Sequence, residues 1–144
     1  MKTLNELKLA QELIRFPTIK TEDKGIMKFL SKKLSAIGFN CRIIKSKGTG
    51  LKPALNLYAR LGRKKPHVSY LGHTDVVANL ENWSVPPFKG KIKNGEIISR
   101  GIADMKGSIA CWISATNNFI KNKKFNGSIS IIIAADEETT GLGT

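Results

Sequence analysis

Residues 128–135 read SISIIIAA and run directly into Asp136-Glu137-Glu138. The run is β-branched and almost continuously apolar, which suits a central strand covered on both faces. The three acids behind it stand out, because the chain of 144 residues carries 24 Lys and Arg against 11 Asp and Glu, a net charge of +13. Adjacent carboxylates repel one another, and a bound cation would relieve that repulsion.

The same placement recurs upstream. Residues 67–71 (HVSYL) read as a strand and lead into Gly72-His73-Thr74-Asp75-Val76-Val77, where His73 is one of only two histidines. Asp104 lies in RGIADMKG, ahead of a helical pattern over 106–121 that places Ile109, Trp112, Ile113 and Ile120 inside. Ligands of open α/β sheets bind beyond the carboxyl ends of the strands. If the strands run parallel, the acid-bearing ends converge at one edge, and an imidazole among carboxylates suits Zn²⁺ or a similar divalent ion. Each residue also has a plainer reading: His73 as a hydrogen-bonded loop residue, Asp104 as a helix N-cap, the three acids as a solvated turn.

The remaining pattern fills in a fold. Thr3-Leu4-Asn5-Glu6 is a capping box ahead of Leu7, Ala10, Leu13 and Ile14, with Pro17 closing the helix. A second helix is expected over 22–37, with Ile26, Met27, Leu30, Leu34 and Ile37 as its stripe and Gly38 as its C-terminal cap. Residues 40–45 and 55–60 read as strands around the loop 46–53, and 72–90 is a long loop with a WSVPPF core. Asn94-Gly95 marks a hairpin over 91–98. The order of elements points to an α/β fold, a mixed, largely parallel sheet flanked by helices.

Composition narrows the function classes. No stretch approaches the roughly eighteen apolar residues of a membrane span, and the N-terminus lacks the apolar core of a signal peptide. Cys41 and Cys111 are far apart with no CxxC, so a disulfide framework is not expected and a cytoplasmic location is. The basic residues are scattered without aromatic interleaving, which argues against nucleic acid as the partner. An anionic small-molecule substrate is the partner expected, with a non-catalytic basic binding module as the reading from a different class.

As a set, GHTDVV, Trp83 with Pro86-Pro87-Phe88, RGIADMKG, and Asp136-Glu137-Glu138 with Gly143-Thr144 beyond resemble the co-catalytic zinc aminoacylase and carboxypeptidase family. The resemblance covers essentially the whole chain. It implies an incomplete catalytic domain of a zinc-dependent, exopeptidase-like fold that hydrolyses an amide with two Zn²⁺ ions, Co²⁺ being a possible substitute; removal of a succinyl group is the activity expected, with a deacetylase or dipeptidase of the same metal chemistry as the alternative. It further implies that His73 and Glu138 are terminal ligands of different zincs and that Asp104 bridges them. Asp75 would hold the His73 ring through its other nitrogen, and Glu137 would be the general base. Ala78 stands where the family has proline and Ser99 where it has the first glycine of GRG; neither position supplies a ligand side chain. The family's remaining carboxylate and histidine ligands fall beyond Thr144. Residues 1–144 are therefore expected to form the N-terminal part of a catalytic domain, inactive alone. The lid domain, through which the family forms homodimers, and the C-terminal catalytic segment are expected to lie outside them.

Overall fold

The computed structural model describes residues 4–46, 53–78 and 81–141. Its elements in chain order are α1 (Glu6–Ile14), α2 (Ile26–Ser35), β1 (Asn40–Lys45), β2 (Leu55–Gly62), β3 (His67–His73), β4 (Lys91–Lys93), β5 (Glu96–Ile98), a wide turn (Ile102–Lys106), α3 (Gly107–Asn122) and β6 (Ser128–Ala134). Among the described residues no helix is long and apolar enough to cross a membrane.

Local chemistry sets the boundaries. The expected N-cap Thr3 lies outside the described residues; the cap is Asn5, whose Oδ1 accepts the Lys8 amide at 2.8 Å. With the helix starting there, Leu9, Ala10, Leu13 and Ile14 are buried and Leu7 stays 44% exposed. The second helix begins at Ile26 rather than at residue 22, because Lys24 (φ 49°) and Gly25 (φ 91°) are left-handed and cannot continue a right-handed helix. Asp23 takes up the freed donors, accepting Gly25 N at 2.8 Å and Met27 N at 3.0 Å. Gly38 is left-handed behind this helix, as expected of a C-terminal stop, and Phe39 N reaches back to Leu34 O at 3.1 Å. Asn94 (φ 52°) and Gly95 (φ 81°) both take the positive φ that the tight β4–β5 hairpin requires.

The main sheet runs in the order β1-β2-β6-β3. It is mixed, but the expected parallel majority is absent: β1–β2 and β2–β6 are antiparallel, and only β3–β6 is parallel. The connections explain this. Only nine residues separate β1 from β2, too few for a crossover, so the pair is antiparallel, whereas β3 reaches β6 through α3, a crossover long enough to restore direction. The one parallel pair sets His73 opposite Ala134, so both strands end at the same edge.

Leu57 and Ala59 of β2 and Ile129, Ile131 and Ile133 of β6 join Leu9, Leu13, Met27, Leu30, Leu34, Ile109 and Ile113 in one buried core. Trp112 and Ile120 of α3 only flank it, half-buried. Covering on both faces, expected for β6, holds except at one position: on the second face Ser128, Ser130 and Ala134 are buried, while Ile132 is 38% exposed beside Leu71 at 64%. A polar row satisfies that face: His67 Nδ1 lies 2.7 Å from Ser128 Oγ and Nε2 3.1 Å from Ser130 Oγ, while Arg60 donates to Ser128 Oγ at 3.1 Å.

These two faces should respond differently to substitution. Ile131→Ala, at a fully buried site, is expected to cost about 2–5 kcal/mol in denaturant unfolding. Leu71→Lys, on the open face, is expected to change stability by no more than about 0.5 kcal/mol. It is also expected to reduce self-association of the 144-residue chain, read by light scattering.

Candidate metal centre

His73 is the last residue of β3, and the chain turns immediately after β6 at the same edge. Asp136 makes that turn. Its carbonyl accepts Gly141 N at 2.9 Å, its Oδ1 accepts Thr140 N at 3.2 Å, and the Thr140 hydroxyl donates to its other oxygen. The turn carries Glu137 and Glu138 to the imidazole. The third approach comes from the wide turn before α3, closed by Lys106 N on Gly101 O at 2.8 Å. Gly101 is left-handed (φ 75°), and a Cβ there would sit 2.6 Å from Val76 Cγ1, so only glycine fits. Inside this turn Asp104 leaves helical geometry (φ −131°, ψ 95°), and the Asp104–Met105 peptide is cis. Asp104 is thus no N-cap: α3 starts at Gly107 without a side-chain cap.

The three approaches meet. Nε2 of His73 lies 3.1 Å from Asp104 Oδ1 and 3.7 Å from Glu137 Oε2. One ligand atom each from His73, Asp104 and Glu138 all lie within 4.8 Å of one another. On the other side of the ring, Nδ1 is 3.5 Å from Asp75 Oδ1 and 3.3 Å from the Asp75 carbonyl. Asp75 Oδ2 accepts the Glu138 amide at 2.8 Å. A single buried carboxylate therefore touches both the histidine and the backbone of the acidic turn.

Two supports are given no part in the site by the sequence pattern. Residues 16–20 (FPTIK), read only as a helix stop, lie along the 74–76 stretch as a short parallel bridge. Val76 N donates to Thr18 O at 3.0 Å, Lys20 N to Val76 O at 3.2 Å, and the Thr18 hydroxyl to Thr74 O at 2.5 Å. Lys106 is fully buried and donates to Phe16 O at 2.8 Å. The FPT segment and the ADMK lysine could have been singled out only by asking where backbone donors and acceptors find partners. The WSVPPF loop braces the entry to Gly101: Arg100 N donates to Pro87 O at 2.7 Å, and the Arg100 guanidinium lies 4.9 Å from the centre of the Trp83 ring.

The electrostatics follow from carboxylates crowded around one imidazole. His73 is pushed up to about 9, first by the Asp75 carboxylate; burial opposes this and Asp104 adds to it. Glu138 is raised by burial and then by the negative charge of Asp104. Burial also acts to raise Asp75, but the His73 ring and the Glu138 and Glu137 amides outweigh it and hold the carboxyl below its ordinary value. Burial lowers Lys106 to about 8, against the pull of Asp75. One imidazole nitrogen facing Asp104, Glu137 and Glu138 gives a nitrogen–oxygen donor set that fits a divalent transition-metal ion.

A raised imidazole pKa stabilises the metal-free fold fully below about pH 6.5, and that contribution is lost as pH rises through about 9. In metal-free protein the ring-proton resonances of His73 are expected to titrate with a midpoint near 9, moving down in Asp75→Asn. A wild-type midpoint at the ordinary 6.5 would contradict the Asp75–His73 pairing.

Known proteins resemble this chain in both sequence and fold. The curated succinyl-diaminopimelate desuccinylase of Pelagibacter ubique is 52% identical over 145 residues, covering 99% of this chain and 38% of its own length. The enzyme of the same name from Ehrlichia canis is 42% identical over 137 residues, covering 94% and 36%. The chain thus spans little more than a third of the curated relatives it matches. Among solved structures, human carnosine dipeptidase 1 superposes with a TM-score of 0.85 at 19% identity, over 96% of this chain and 33% of that one. The M20 family metallo-carboxypeptidase Sso-CP2 from Sulfolobus solfataricus gives 0.78 at 22% identity, over 92% and 30%. At such identities they establish the fold alone. The sequence model of the peptidase family M20/M25/M40 matches residues 70–144, a span holding His73, Asp75, Asp104, Glu137 and Glu138, and the chain belongs to that family.

Proposed function

We propose that this chain is the N-terminal part of the catalytic domain of an amide hydrolase. The reaction removes succinate from N-succinyl-LL-2,6-diaminopimelate and releases LL-2,6-diaminopimelate for lysine biosynthesis. The observation that carries the proposal is the convergence of His73, Asp104 and Glu138, with Glu137 beside them, at the end of the parallel strand pair. The identity of the substrate is supported by the names of the relatives at 52% and 42% identity.

His73, Asp104 and Glu138 would hold Zn²⁺, two ions in the whole protein, with Co²⁺ as a substitute. Bound there, the metal supplies Lewis acidity toward the amide carbonyl and toward water. The chain's own residues do the rest. Asp75 takes the Nδ1 side of the ring, which leaves the Nε2 lone pair for the metal. Glu137, whose side chain is 54% exposed, stands where water has access. It takes a proton from the water as the oxygen adds to the amide carbon, then delivers it to the nitrogen as the C–N bond breaks. The products are succinate and the free amine. The acidic substrate also suits a chain of net charge +13.

The open sheet face, with Leu71 64% exposed, supports a continuation of the catalytic domain packed against it in the whole protein. We place that protein in the cytoplasm as a homodimer joined through a lid domain.

Glu137 and Glu138 separate the roles experimentally, in the protein that carries this chain. Glu137→Gln keeps the size and removes the base; metal content is expected to stay near wild type while kcat falls ~10²–10⁴-fold. Glu138→Ala is expected to lose metal, and activity with it. Metal stoichiometry and turnover of N-succinyl-diaminopimelate decide the matter. A Glu137→Gln protein with full metal and wild-type kcat would refute the assignment of the base.

A further inference from the structure

Lys106 takes no part in the chemistry above, yet it is among the largest fully buried side chains, 0% exposed. A lysine is rarely buried in full unless it is paired, because its ammonium loses its hydration. Here the ammonium donates to a backbone carbonyl, that of Phe16 at 2.8 Å, 90 residues earlier in the chain. The same residue's backbone N–H closes the Asp104 turn on Gly101 O. Phe16 opens the segment whose Thr18 and Lys20 bond to Thr74 and Val76, the residues on either side of Asp75. Lys106 therefore ties the turn that carries Asp104 to the stretch that carries His73 and Asp75. An apolar side chain of equal length would fill the same space at lower cost in solvation, so packing alone does not explain a lysine.

We propose that Lys106 is a positioning residue for the metal-ligand set, clamping the Asp104 turn onto the Phe16–Thr18 segment so that Asp104 and His73 are held at ligand distance. The inference rests on the metal-hydrolase reading above and adds a residue to it.

The test uses Lys106→Met in the protein that carries this chain, with Zn²⁺ affinity, the visible absorption of the Co²⁺-loaded form and the metal-free Tm as readouts. Expected are a metal affinity lower by roughly 10–100-fold and a changed Co²⁺ absorption band. Lys106→Arg, which keeps charge and donors, is expected to recover part of the affinity. Wild-type affinity and spectrum in Lys106→Met overturn the proposal. A lowered Tm with an unchanged spectrum also overturns it, because the residue is then structural only. If Lys106→Met does not melt cooperatively, Lys106→Gln is read in its place, and failure of both to fold likewise assigns a structural role. His73→Ala separates the two claims. Metal binding that survives it refutes the metal reading itself, whereas its loss beside a normal Lys106→Met refutes only the role of Lys106.

Discussion

The site depends on one buried carboxylate. Asp75 is 1% exposed, and a charge so placed requires partners. Its two oxygens face two different elements, Oδ2 the Glu138 amide and Oδ1 the His73 ring. The end of β3 and the turn after β6 are therefore joined by more than the strand ladder. The ladder brings His73 level with Ala134, and Asp75 then sets how the ring and the acidic turn face each other. The bridge from Thr18 to Thr74 and Val76 keeps the backbone around Asp75 from swinging away. The Lys106 ammonium adds a positive charge that acts on Asp75 in the same buried region.

The sheet serves this arrangement economically. Only one strand pair has to be parallel, because only that pair ends at the site. The antiparallel strands β1 and β2 widen the sheet and supply Leu57 and Ala59 to the core under α2. The result is asymmetric: one face buries a continuous apolar layer against the helices, and the other carries a serine–histidine–arginine row with Leu71 and Ile132 exposed beside it. The alternation of Ser128, Ile129, Ser130 and Ile131 is the trace of that asymmetry in the sequence.

What the sequence made legible was local. β1 falls on the residues expected, β6 ends one residue short of the run that predicted it, and the Asn94-Gly95 hairpin and the Gly38 stop follow from backbone preferences of single residues. The convergence of His73, Asp104 and Glu138 was legible too, since each follows a strand or precedes a helix with a distinctive pattern. Strand direction was not, because alternation of side chains is the same in parallel and antiparallel strands. The start of α2 was missed because it depends on left-handed backbone at Lys24, a residue type that ordinarily avoids it. The FPTIK bridge uses mainly backbone groups, which carry no residue code. Lys106 reads as a solvent-facing residue in any composition-based argument and is the opposite here.

Asp136 shows how neighbouring acids come to differ. It is 4% exposed and spends its carboxylate on Thr140, so it is unsuited to accept a proton from a bound reactant. By closing the turn it leaves the next two residues in unlike places. Glu138 is half-buried with its amide fixed on Asp75, which suits a side chain that must hold still to ligate. Glu137 is exposed with its Oε2 3.7 Å from the imidazole, which suits one that must reach water and then a leaving group. The proposed division between a holding carboxylate and a moving one therefore rests on the turn rather than on the side chains, which are identical. A change that opens the Asp136–Thr140 contacts would act on both proposed roles together.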